Sequence, residues 1–192
     1  MKRVWLIFLC TLYFFITESV AQQNEESIKI IFDTDFAMPP YDDSMALMLA
    51  LQSPEIDIKG ITTVAGNDSV ERATSDVLRM LEIAQKTTIP VYKGANMPLV
   101  HQKSDFAVRE YGNWYSNAQP PVPPGGYARK KLEDESAVSF MIKTVLAHPK
   151  EITLVAIGPL TNIAQAIRAE ARFARNVRRL IIMGGAIAIL PD

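Results

Sequence analysis

Five short apolar runs, each followed by a segment of helical character or a loop, restrict this chain to few folds. The runs are Ile28–Phe32, Ile56–Val64, Ile89–Tyr92, Ile152–Ile157 and Val177–Met183. Ile28–Phe32, short and mostly apolar up to Asp33, reads as a buried strand, and the other runs read as further strands. Between them the period changes to that of helices. Ser69–Gln85 places Val70, Ala73, Val77, Leu81 and Ala84 on one face. Asp43–Gln52 carries Met45, Leu47, Met48, Leu49 and Leu51, apolar nearly all round, which predicts a helix packed deep in the domain. Helices are also predicted over Asp134–His148, with His148 closing the helix before Pro149, and over Thr161–Ala174. The order β-α-β predicts an α/β fold: an open, mostly parallel, doubly wound (Rossmann-like) sheet with helices on both faces. Asn96–Lys131 reads as irregular, because Gln119–Gly126 holds four prolines and two glycines within eight residues.

The first residues read as a targeting segment. Lys2 and Arg3 precede the 13-residue apolar run Val4–Ile16, and Ser19-Val20-Ala21 is a small-x-small cleavage site. That run is shorter than the roughly 20 residues a membrane span needs. The expected division is a signal peptide over 1–21 and one domain over 22–192, secreted to the periplasm or the extracellular space, with no membrane partner after cleavage. Cys10 is the only cysteine and lies in the leader, so the expected mature chain has no disulfide, thiolate metal site or cysteine nucleophile. The formal net charge is −1 and no basic stripe is present, which argues against a nucleic-acid partner and for a small substrate.

In open parallel sheets, ligands bind beyond the carboxyl ends of the strands. That rule collects Asp33 and Asp35, Gly66-Asn67, Ile157-Gly158 and Gly184-Gly185 on one rim. Asp33, Asp35, Asp42 and Asp43 put four carboxylates within eleven residues around a buried strand and its helix. Such a cluster is costly unless a cation neutralises it, and oxygen-only ligands favour Ca²⁺ or Mg²⁺. Helix capping accounts for one of the four, Asp42 or Asp43, and leaves the others without a role. The glycines and Asn67 have a second reading as simple turn residues. Trp114, Tyr115 and Tyr127 either stack on a substrate ring or pin the loop to the body, and pinning is the reading preferred here.

Asp33-Thr34-Asp35 followed by Asp42-Asp43 resembles the opening signature of the inosine-uridine preferring nucleoside hydrolases. Three further stretches agree in order: Ile61–Asn67, Ile152–Ala164 and Ile182–Ala186. The resemblance covers the expected mature chain. It implies calcium-dependent cleavage of the N-glycosidic bond of a ribonucleoside. Asp35 would ligate Ca²⁺ and act as general base toward water, and Asp43 and the carbonyl of Ile157 would complete this part of the metal shell. Asp42 would hydrogen-bond a ribose hydroxyl, Asn67 would line the ribose and water site, and Asp33 would support the site from behind. Self-association is left open.

Two departures from the family pattern stand out. Six residues, Phe36–Tyr41, separate Asp35 from the aspartate pair, where the family usually has three. The family's later Asn-x-Glu-type ribose contacts and its His-Asp pair are absent; His101 and His148 do not occupy that place. The domain is therefore expected to lack its C-terminal segment and to show weak or no turnover in this form. Two other readings remain at this point. One is a haloacid-dehalogenase-type, Mg²⁺-dependent phosphatase with Asp33 as nucleophile and Asp35 as acid/base. The other is a non-catalytic, nucleoside hydrolase-like fragment.

Overall fold

The computed structural model describes residues 27–100, 104, 105, 108, 109 and 120–185. The expected signal peptide, His101, Trp114 and Tyr115 lie outside the described residues. Five strands form one sheet: β1 (Ile28–Thr34), β2 (Ile56–Thr63), β3 (Val91–Lys93), β4 (Thr153–Ala156) and β5 (Arg179–Ile182). Their spatial order is β3-β2-β1-β4-β5, and every pairing is parallel. The connecting helices are α1 (Asp42–Gln52), α2 (Val70–Ile83), α3 (Ala137–Ala147), α4 (Thr161–Ala169) and α5 (Phe173–Asn176). The order reverses between β1 and β4, and a crevice at such a reversal is where this class of sheet binds ligands.

The two faces of β1 serve different helices. Ile30 and Phe32 pack with Leu47 and Leu51 of α1 and with Ala73, Val77 and Leu81 of α2. Ile31, one step out of phase, packs with Phe140 and Met141 of α3, Ile163 and Ala166 of α4 and Phe173 of α5. The two-residue period of a strand therefore makes the sheet doubly wound, as predicted. An irregularity in the β1–β2 register shifts the pairing from Ile30↔Ile58 to Ile31↔Gly60. Gly60 gives room to Phe140, whose ring would lie 2.6 Å from a Cβ there and which stacks on Tyr92 at 3.8 Å between centroids.

Ser69 and Ser136 start α2 and α3 as side-chain caps, accepting from the backbone N–H groups of Arg72 and Ser139. His148 is the C-cap residue of α3, as read from the sequence.

Three expectations are corrected. Helix α1 is not packed deep: Met45, Met48 and Leu49 are 58%, 44% and 71% exposed. Its buried stripe is Asp43, Ser44, Leu47, Ala50 and Leu51, with Ala46 partly buried against the same core, because a helix lying on an open sheet buries one side. The helix predicted over Thr161–Ala174 is two helices, since Glu170 adopts an extended conformation (φ −141°, ψ 106°) that ends α4. Within the stretch read as irregular, Asp105, Val108 and Arg109 are helical, and the Val108 N–H donates to Ser104 O at 2.9 Å.

Candidate active site

Strand alternation sends consecutive side chains at the tip of β1 to opposite faces, and each finds a different partner. Asp33 points toward α4. Its Oδ1 accepts from Thr62 Oγ1 at 2.5 Å and from Asn162 Nδ2 at 2.8 Å, and the residue is fully buried. Thr34 points toward α1 and donates its hydroxyl to Asp43 Oδ1. Asp35 follows at the rim, where Oδ2 accepts the Asn67 backbone N–H at 2.7 Å.

Two glycines close around Asp35. A Cβ on Gly66 would sit 2.1 Å from Asp35 Oδ2, and one on Gly158 would sit 2.7 Å from the Asp35 backbone nitrogen and 2.8 Å from Oδ1. Strand ends β1, β2 and β4 thus meet at one carboxylate, and the glycines are there because nothing larger fits. The backbone of β1 is tied to both neighbours beyond the regular ladder. The Val64 N–H donates to Thr34 O at 3.0 Å and the Ile157 N–H to Asp33 O at 2.9 Å.

The electrostatics are those of carboxylates short of positive charge. Burial pushes the Asp33 carboxyl up to about 6, against the lowering effect of its hydrogen bonds from Thr62 and Asn162. Burial likewise raises Asp43 to about 6; Thr34 opposes this, and the neighbouring Asp35 and Asp42 add to it. Asp35 is raised by burial, with the Asn67 N–H acting in the other direction. Asp43 Oδ2 and Asp33 Oδ2 are buried without a hydrogen-bond partner. Asp42 is exposed at the start of α1, beside this pair.

The residues fit a hard cation in kind. The donors are all oxygens, one buried carboxylate oxygen of Asp43 lacks a partner, and the glycine cradle holds Asp35 beside it. They do not make a whole shell. Among the described residues no group of three or more His, Cys, Asp or Glu side chains is arranged to hold a metal ion. The four aspartates read together from the sequence are divided: Asp33 turns away into the core, leaving Asp35 and Asp43 with Asp42 outside. The buried, doubly hydrogen-bonded Asp33 is also a poor nucleophile, which weighs against the phosphatase reading.

Asn67 reaches Asp35 through its backbone, while its side chain is exposed. Ile157 is half-buried at the exit of β4. Tyr127 is 43% exposed and donates its hydroxyl to Pro120 O at 2.5 Å, a bond within the same loop that does not tie it to the body. In the longer loop Phe36–Tyr41, Phe36 and Ala37 are buried in the core, Met38 is half-buried, and Pro39, Pro40 and Tyr41 are exposed. A cavity of about 360 Å³ lies elsewhere, between α2 and the segment 120–132.

Sequence reasoning did not single out Thr34, Thr62 or Asn162. The signal was present as polar residues at the ends of otherwise apolar strands, and as an asparagine in the first turn of the helix that follows β4.

The comparisons with known proteins agree with this geometry. Uridine nucleosidase 1 of Arabidopsis thaliana is 41% identical over 167 residues, 85% of this chain and 47% of the relative. The pyrimidine-specific ribonucleoside hydrolase RihA of Citrobacter koseri is 35% identical over 164 residues, 85% of this chain and 50% of the relative. A purine-preferring ribonucleoside hydrolase from Gardnerella vaginalis superposes with a TM-score of 0.67 at 30% identity, covering 82% of this chain and 49% of that one. A plant nucleoside hydrolase gives 0.65 at 38% identity, covering 82% and 48%. The chain spans about half the length of the curated relatives it matches. The sequence pattern of one family extends over residues 30–190, from the first strand through the aspartate pair to the last glycines. With that pattern converging on the switch point of a parallel sheet, the chain belongs to the inosine-uridine preferring nucleoside hydrolases.

Proposed function

We propose that this domain serves the calcium-dependent hydrolysis of the N-glycosidic bond of ribonucleosides, releasing the nucleobase and ribose. The observation that carries the proposal is the placement of Asp35: at the switch point, gripped by the Asn67 N–H, crowded by Gly66 and Gly158, and next to the unpartnered oxygen of Asp43. Asp35, Asp43 and the Ile157 carbonyl would hold the ion, with further ligands needed for the six to eight oxygens Ca²⁺ takes. When bound there, Ca²⁺ supplies positive charge that orients the ribose diol and lowers the pKa of a nearby water.

The chain's own groups supply the rest. Asp35 takes a proton from the attacking water, as a carboxylate whose affinity for protons burial has increased. Asp42, exposed at the first turn of α1, accepts a hydrogen bond from a ribose hydroxyl. Asn67 lines the same side through its exposed amide and fixes Asp35 through its backbone. Asp33 stabilises the tip of β1 from within. Loss of the base passes through an oxocarbenium-like sugar, which nearby carboxylates favour. The apolar run and cleavage site at the N-terminus support a secreted product, testable by sequencing the N-terminus of the exported protein, with Gln22 expected first.

The test is base release from uridine, which the named relatives suggest as first substrate, compared with inosine and with p-nitrophenyl phosphate, with Ca²⁺ and with chelator. Calcium-dependent release of uracil that disappears in Asp35→Ala supports the proposal. Phosphate release with Mg²⁺ and no base release would replace it with the phosphatase reading. Calcium binding without any base release would identify a non-catalytic form.

A further inference from the structure

One side chain from α4 ties together the exits of three strands to which it does not belong. Asn162 is fully buried. Its Nδ2 donates to Asp33 Oδ1 on β1 at 2.8 Å and to Thr63 O on β2 at 2.9 Å. Its Oδ1 accepts the N–H of Ala95, two residues beyond β3, at 2.8 Å. Both amide hydrogens are used and the oxygen is engaged, so the group's orientation is determined by its neighbours. Gly94 allows this approach: a Cβ there would lie 2.3 Å from Asn162 Oδ1 and 2.4 Å from Nδ2.

The ties lead to the rim. Asp33 lies two residues before Asp35, and its carbonyl also receives the Ile157 N–H at 2.9 Å. Thr63 lies four residues before Asn67, whose N–H holds Asp35. The two backbone segments that position Asp35, the tip of β1 and the turn after β2, are thus both anchored on one amide. We propose that Asn162 is the positioning residue of this site, setting the distance between the β1 tip and the β2 turn and so the location of the Asp35 carboxylate. A buried amide is suited to this role because it offers donors to a carboxylate and a carbonyl together with an acceptor to an N–H, in one rigid plane. The inference deepens the proposed function and rests on it only where calcium is concerned.

The experiment compares the unaltered chain with Asn162→Ala and with Thr74→Val, which breaks the Thr63–Thr74 hydroxyl contact on the other side of the same residue. Asn162→Asp keeps the shape and the acceptor for Ala95, and is read in place of Asn162→Ala should the latter not fold. Backbone amide exchange is followed by NMR in calcium-free chains, and calcium affinity by titration calorimetry with CaCl₂. In the Asn162 variant the Asn67 and Ile157 amides should lose at least about tenfold more protection than the Leu81 amide in α2. Calcium affinity should fall about 10- to 100-fold, the usual effect of removing a partner that orients a ligand. Thr74→Val should leave both within about twofold. Unchanged protection at Asn67 overturns the proposal, and so does a variant that loses that protection yet binds calcium as the unaltered chain does. If the unaltered chain binds no calcium while the Asn162 variant still loses protection at Asn67, positioning stands and the calcium reading fails.

Discussion

Alanine at position 66 would place its Cβ 2.1 Å from Asp35 Oδ2, where ordinary contact begins at 3.4 Å. One of the two must therefore withdraw by about 1.3 Å, and because Asp35 Cβ would also lie only 2.8 Å away, the whole Asp35 side chain must shift and not its carboxylate alone. Calcium–oxygen bonds of a functional site fall within about 0.2 Å of 2.3–2.6 Å. A shift of this size takes Asp35 out of reach as a ligand. Gly66 does not sit in the left-handed region, so the backbone accepts alanine and the effect is steric. Overpacking of this kind costs about 1–3 kcal/mol, a fall in thermal midpoint of about 3–10 °C for a domain of this size. The expected result for Gly66→Ala is a folded protein whose calcium affinity, measured by titration calorimetry, is at least about tenfold weaker, equivalent to about 1.4 kcal/mol. A Gly66→Ala protein that binds calcium within about twofold of the unaltered chain would refute the cradle argument.

Two further outcomes follow from the same geometry. Asp33 and Asp43 both titrate near 6 in the folded chain, above the ordinary carboxylate value of 3.8, so the folded state holds more protons than the unfolded state between about pH 4 and 6. Stability of the calcium-free chain should therefore fall as pH rises through that window, by about 3 kcal/mol for Asp33 alone, and Asp33→Asn should flatten this part of the melting-temperature profile. A calcium-free profile that rises from pH 4.5 to 7 in step with Asp33 ionisation would contradict the assignment. Ser69→Ala removes the cap that accepts the Arg72 N–H at 3.3 Å, and should lower stability by about 1 kcal/mol in chemical denaturation without changing calcium affinity.

Much of the fold was legible in the residues because periodicity is a local property. The five apolar runs became five parallel strands, and Ser69 capped α2 where the pattern began. The boundary errors arose where tertiary surroundings prevailed over composition. Met45, Met48 and Leu49 of α1 were apolar enough to suggest burial, yet whether a helix face is covered depends on what stands opposite it. The break of α4 at Glu170 left no proline or glycine to announce it.

The site divides in the same way. The chemical nature of the carboxylates, their position after the first strand and the glycines at the strand exits are properties of the sequence, since alternation and strand ends can be counted along it. Which aspartate stays at the rim of the sheet was decided only in three dimensions. Asp33 and Asp35 are the same residue type, two positions apart. One is turned into the core by Thr62 and Asn162, and the other is held at the rim by an N–H from the next strand's turn. Asn162 is 129 residues from Asp33, and no local pattern relates them. Hydrogen bonding between distant segments is fixed by how the sheet and helix α4 pack together, and that packing drew one carboxylate into the core and left the other at the rim.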